Sequence, residues 1–219
     1  MHLVCPAGSP PALITAVDHG ADAVYVGFRD QTNARAFPGL NFSEADLRAG
    51  IRYAHARGRQ VYVALNTYPG PAHFGDWQAA VDRAATLGVD AIICADMGVL
   101  DYAARTHPTL PRHLSVQGSA TTHAALRYYR ERFGIARAVL PRVLSIQQVE
   151  RLCEQDVVPI EVFAFGSLCI MVEGRCQLSS YVTGASPNRH GVCSPAKFVR
   201  WEEGPGGQRS VRLNDRLID

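Results

Sequence analysis

The chain has 219 residues, 47% of them hydrophobic and 19% charged, enough to bury one large core. A formal charge of +2 does not mark a nucleic-acid or membrane-surface protein, because counterion-release binding needs clustered lysines and arginines. No apolar run approaches the roughly 18 to 20 residues of a bilayer span, and residues 1–27 lack a basic stretch leading into an apolar one, so the expected location is the cytoplasm. In that reducing compartment the six cysteines point to metal ligation or burial before disulfides.

Short apolar runs predict strands at 3–7, 23–27, 61–66, 91–96, 113–117, 137–141 and 160–166. Between them lie helical patterns with recognisable ends. Ser9 before Pro10 suits an N-cap, and Ser43-Glu44-Ala45-Asp46 reads as a capping box, with Leu47, Ile51 and Ala54 on one face and Gly58 at the end. Further helices are expected at 74–87, 97–106, 121–133 and 145–155. A strand that leads into a helix each time requires a parallel sheet, so the fold class is α/β.

A doubly wound sheet would carry a glycine-rich phosphate turn after its first strand, and 5-CPAGSPPAL-13 has none. The expected architecture is therefore a (β/α)8 TIM-like barrel. Seven strands do not close it, and 201–219, with 204-GPGGQ-208 at its centre, reads as an exposed loop or hairpin. The expected organisation is barrel strands and helices over 1–168, a cysteine-bearing loop over 169–200, and a connection over 201–219 into further polypeptide, so that the barrel is truncated before its last strand.

Barrel enzymes place their chemistry where strands run into the following loops, and Asn66, Asp96, Gln117 and Arg142 fall there. A helix cap or loop hydrogen bond is the alternative for each. Three cysteines gather after the seventh strand: Cys169, Cys176 and Cys193, spaced six and sixteen residues apart. Soft thiolates select zinc or iron-sulfur clusters, and without a C-x-x-C knuckle the wide spacing favours a cluster, with plain buried or free thiols as the alternative. Cys5 and Cys94 fall in strands and Cys153 on the apolar side of a helix with Val149 and Leu152, so these are expected in the core.

The stretch Glu161 to Ser179, E-x-F-x-x-G-S-L-C-x-x-x-x-G-R-C-x-L-S, resembles the signature of the peptidase U32 family. Within that family 163-FAFGSLCIM-171, 173-EGRC-176, 178-LSSY-181, 191-GVCSPAKFVRW-201, 139-VLPRVLSIQQV-149 and 32-TNARAFPGLNF-42 are similar to the branch that serves ubiquinone biosynthesis. The resemblance implies a four-iron, four-sulfur (4Fe-4S) cluster held by Cys169, Cys176 and Cys193, with a fourth cysteine beyond Asp219. It also implies a heterodimer with the paralogue UbiV that hydroxylates a ubiquinone precursor without oxygen, prephenate being the oxygen donor. An anionic donor needs fixed guanidinium groups, for which Arg35, Arg142 and Arg175 are candidates.

Other readings are an RNA pyrimidine hydroxylase of the same family, a non-catalytic iron-sulfur scaffold, and a peptidase. The last lacks residue support, since the sequence has no H-E-x-x-H, no G-x-S-x-G and no local triad motif. The RNA reading requires a basic surface with stacking aromatics, and Arg127, Arg130 and Arg132 around Tyr128 and Tyr129 are interrupted by Glu131.

Overall fold

The structure, a computed structural model, describes residues 1–166, 169, 173, 176, 179–180, 186–190, 199–203, 205–207, 209–213 and 216–218. Seven parallel strands pair in chain order: β1 (Val4–Pro6), β2 (Ala23–Gly27), β3 (Gln60–Leu65), β4 (Ala91–Cys94), β5 (Arg112–Leu114), β6 (Arg137–Val139) and β7 (Ile160–Glu161). Helices α1 (Pro10–Asp18), α2 (Glu44–His55), α3 (Phe74–Leu87), α4 (Met97–Thr106), α5 (His123–Phe133) and α6 (Ile146–Glu154) connect them. This is the expected parallel α/β sheet of a TIM-like barrel, with β1 and β7 as its two edges.

Alternation along each strand separates two apolar clusters. Val24, Val26, Val61, Val63, Leu65, Ile92, Cys94, Leu114 and Ala138 face outward into the large core under the helices, together with Leu13, Leu47, Trp77, Leu100 and Leu126. Ala23, Tyr62, Ala91 and Ile93 face inward, with Val4 and Tyr25 against them. The outward leucines such as Leu13, Leu47 and Leu65 are fully buried, each contributing about 1.5–3 kcal/mol of transfer free energy.

Helix ends follow local chemistry. Ser43 Oγ accepts from Asp46 N while the Asp46 carboxylate accepts from Ser43 N, the reciprocal pair expected at that position. Ser9 occupies the N-cap position of α1 without a side-chain bond. The α2 helix ends at His55, before Gly58, whose φ of 67° serves the turn beyond.

Five strands, β1, β4, β5, β6 and β7, are shorter than expected. The 113–117 run yields β5 only to Leu114, because Ser115 turns the chain by accepting from Gln117 N. The 160–166 run yields only Ile160–Glu161, which pairs with β6 alone. Beyond them β8 (Val199–Glu203), β9 (Arg209–Leu213) and β10 (Arg216–Ile218) make a separate antiparallel sheet, so none of these three is an eighth barrel strand. Among the described residues no helix is long and apolar enough to cross a membrane.

Cys153 corrects an expectation. Its α6 position places it at an exposed surface instead of in the core, where it lines a groove of about 490 Å³ with Val149, Ile146, Phe163 and Phe165. Val149 and Leu152 do pack on the core as the spacing implied, whereas Cys153 falls outside that buried face.

Candidate functional site

The loop after β2 folds back over the strand ends, and its close approach requires Gly27. A Cβ there would stand 1.9 Å from Asn33 Nδ2. Asn33 is buried and its amide donates to Asn41 Oδ1 at 2.9 Å, while Asn33 Oδ1 accepts from Arg35 N at 3.1 Å. Asn41 Nδ2 donates to the Arg35 carbonyl at 2.8 Å, and Asn66 Oδ1, from the end of β3, accepts from Ala34 N at 2.9 Å. Three asparagines thus fix the backbone of Arg35 and leave its side chain exposed at the barrel mouth.

On the opposite side of the mouth a second network holds the cysteine-bearing segment. Arg142, just after β6, donates from Nε to Glu173 Oε1 at 2.7 Å, and the Glu173 side chain is only 3% exposed. Ser119 Oγ donates to the Glu173 carbonyl at 2.7 Å. Three residues on, Cys176 N donates to Asn188 Oδ1 at 3.0 Å, and Asn188 Nδ2 donates to Gln117 Oε1. Tyr68 completes the frame by donating its N–H to the Asn188 carbonyl and its hydroxyl to the Gln117 carbonyl, both at 2.6 Å. Cys176 Sγ lies 3.5 Å from Ser179 Oγ, a hydroxyl able to donate to a thiolate.

The inside of the barrel carries an unexpected polar layer. In β5 the Arg112 guanidinium runs outward to the carbonyls of Phe133 and Leu110, and Leu114 joins the outer core, so His113 between them points inward. Its ring meets that of Tyr62 edge-on at 4.7 Å. Arg137 pairs with Glu161 at 3.2 Å, and its guanidinium lies 5.8 Å from the Tyr62 ring centroid. Burial, then the Arg137 cation, push the His113 pKa down to about 4, leaving the ring neutral near pH 7. Burial also raises the Tyr25 phenol, an effect that Arg35 opposes.

The predicted residues therefore divide. Gln117 and Arg142 share the network around Cys176, while Asn66 and Arg35 share the network of the facing loop. Asp96 is the N-cap of α4, accepting from Val99 N at 3.0 Å, the helix-cap arrangement that stood as its alternative. Cys169 is exposed and Cys176 half-buried, and both are free thiols. Cys193 and Arg175 lie outside the described residues. Soft sulfur with a hydroxyl donor beside it fits a thiolate-held cluster, although no three metal-binding side chains converge among the described residues alone. Cys94 is a core residue as expected, fully buried, its thiol pushed far up by desolvation.

Sequence reasoning missed Tyr25, Tyr62, His113, Arg137 and Glu161 inside the barrel, and Tyr68, Glu173 and Asn188 at the cysteine segment. The first group had a signal only in the longer strands: a tyrosine at an alternate position of an otherwise apolar run, as in 23-AVYVG-27. The second had none short of the tertiary structure.

The sequence profile of Peptidase family U32 matches residues 8–202. The chain is 35% identical over 206 residues to tRNA hydroxylation protein P of Escherichia coli (strain K12), covering 91% of this chain and 43% of that protein. It is 32% identical over 199 residues to the 23S rRNA 5-hydroxycytidine C2501 synthase of the same organism, covering 90% of this chain and 29% of that protein. The solved structure of the U32 peptidase Mk0906 superposes with a TM-score of 0.61 at 19% identity, over 74% of this chain and 68% of that one, a likeness of fold. The chain thus spans less than half of the length of these two curated relatives. The barrel, the signature that opens at Glu161 and the profile match together make this chain a member of peptidase family U32.

Proposed function

We propose that this chain is the barrel part of an oxygen-independent hydroxylase of ubiquinone biosynthesis, acting as a heterodimer with UbiV and with prephenate as oxygen donor. The observation that carries this reading is the tie from Cys176 through Asn188 and Gln117 and from Glu173 to Arg142, which supports a thiolate centre beside the barrel mouth. Cys169, Cys176 and Cys193 would hold the 4Fe-4S group, which supplies one-electron transfer when bound. The polypeptide's part is positional: Arg35 faces the mouth from an immobilised backbone, Glu173 anchors the cysteine segment, and the Ser179 hydroxyl stabilises the Cys176 thiolate. The choice of ubiquinone over other rings rests on the local likeness of 163–201 and 32–42 to UbiU.

The second reading, RNA pyrimidine hydroxylation, is favoured by the names of the relatives. Against it stands the condition of the α5 arginines. Arg130 donates to the Val157 carbonyl and Arg132 pairs with Asp101 at 3.2 Å, so two of the three are engaged within the fold. The deciding experiment uses the full-length protein, prepared without oxygen together with its partner. Iron and sulfide are quantified, and hydroxyl incorporation is followed by mass spectrometry into a ubiquinone precursor and into cellular RNA. Hydroxylated precursor that disappears in Cys176→Ala is expected; hydroxylated pyrimidine with an unmodified precursor would establish the second reading instead.

A further inference from the structure

Cys176 is followed at three and four residues by Ser179 and Ser180, spacings that return to one face of a helical turn. The two hydroxyls are used differently. Ser180 is exposed, and its Oγ donates to the Cys176 carbonyl at 3.1 Å, a bond to the backbone. Ser179 is sealed from solvent at 0% exposure, and its Oγ stands 3.5 Å from Cys176 Sγ.

The sulfur has little freedom to leave that hydroxyl. The Cys176 amide donates to Asn188 Oδ1 at 3.0 Å while Ser180 holds the carbonyl, so the residue is tied on both sides of its Cα. Asn188 is itself buried and fixed by Gln117. The geometry between Sγ and Oγ is therefore set by the fold before any ligand arrives.

The direction of this hydrogen bond depends on the state of the sulfur. As a free thiol, Cys176 donates to Ser179 Oγ. A sulfur that ligates a metal has lost its proton and can only accept, so the hydroxyl, which can do either, becomes the donor. Such charge-assisted bonds are stronger than neutral ones, and stronger still away from water. Glu173, the described charged residue nearest before Cys176 in the chain, is balanced by Arg142 at 2.7 Å, which leaves the hydroxyl as the local electrostatic lever. Hydrogen bonds to the sulfurs are among the features that set the potential of an iron-sulfur centre.

We propose that Ser179 tunes the centre, its hydroxyl donating to the Cys176 sulfur and raising the reduction potential. An added electron makes that sulfur more negative and strengthens the bond, so the reduced state gains more than the oxidised one. The inference rests on Cys176 being a cluster ligand, as in the function proposed above. Ser179 acts through Cys176 and is a positioning residue.

The test is a redox titration with dithionite, followed by paramagnetic resonance, of the full-length protein prepared without oxygen together with its partner. Ser179→Ala should lower the reduced-to-oxidised ratio at a given potential about tenfold, a midpoint more negative by about 59 mV for a one-electron couple. Ser179→Thr retains the hydroxyl and should restore the midpoint. Ser180→Ala removes the backbone bond and keeps the sulfur contact, so its midpoint should stay at the wild-type value. Should Ser179→Ala fail to retain iron, the wild type has its own readout: exchange into D2O should shift the iron–sulfur stretching bands of its resonance Raman spectrum. Bands that do not move, a wild-type midpoint in Ser179→Ala, or an equal shift in Ser180→Ala overturns the proposal. In protein that carries iron and sulfide, those results remove only the tuning role; protein devoid of both removes the ligand reading as well.

Discussion

Arg142 and Glu173 are joined by an ion pair of 2.7 Å that runs from the end of β6 to a residue midway between two signature cysteines. Side-chain exposures of 16% and 3% set it apart from the surface pairs of this fold. A surface pair contributes little, but breaking a buried one strands a desolvated charge.

Arg142→Met should therefore destabilise the chain by about 3 kcal/mol, since it leaves the Glu173 carboxylate buried without its cation. Glu173→Gln should cost less, because Arg142 is the more accessible partner. Both should lower the iron content of protein prepared without oxygen by loosening the segment before Cys176. Urea denaturation and iron-to-protein ratios measure this; an Arg142→Met protein with wild-type midpoint and wild-type iron counts against the staple.

Much of the framework could be read from the residues, because strand alternation and caps are local. The Ser43 cap with Asp46 appears as a reciprocal pair of bonds, and α3 and α4 occupy the expected residues. The site was less legible because its bonds link residues far apart in the chain. Gln117 was singled out by position after β5, but nothing near it foretold that its amide oxygen would be met by Asn188. Asp96 looked the same as Gln117 in one dimension and proved to be a helix cap. Inward residues such as His113 were overlooked because a three-residue strand offers too short a pattern to show its facing.

Asn188 offers a check on the second network, since its side chain bridges Cys176 N and Gln117 Oε1 while its carbonyl accepts from Tyr68 N. Asn188→Ala removes the bridge and takes the acceptor from the Cys176 amide, for a loss of about 1–3 kcal/mol. Asn188→Asp keeps the acceptor toward Cys176 N but cannot donate to Gln117 when ionised, so it should fall between Ala and wild type in stability and iron retention. Equal behaviour of the two variants would show that the bridge matters only through its bulk.

Cysteine substitutions separate ligand from core. Cys176→Ala should release the iron while the barrel remains folded, because the outer core does not include it. Cys94→Ala should do the reverse, costing roughly 1 kcal/mol for the lost sulfur in a sealed position while iron stays bound. Exposed Cys153→Ser should change neither. Circular dichroism melts with iron and sulfide analysis give both readouts; iron lost on Cys94→Ala at unchanged fold would move the ligand set into the barrel.

His113 makes stability depend on pH in a definite direction. Its pKa is held near about 4 in the fold against the usual 6.5, so between those values the unfolded chain carries the proton and the folded chain does not. Stability should therefore be unaffected by this group above 6.5 and should fall as the pH drops toward 4, by about 1.4 kcal/mol per unit and about 3 kcal/mol across the window. The buried Tyr62 phenol, raised by desolvation, stays neutral throughout and adds nothing to the slope. Comparing unfolding free energies of wild type and His113→Phe over that range isolates the effect, because the carboxylates common to both proteins cancel in the difference. A difference that does not vary between pH 4 and 6.5 would mean that His113 takes up a proton inside the barrel as easily as in water, and with it would go the case for a dry, neutral imidazole against the Tyr62 ring.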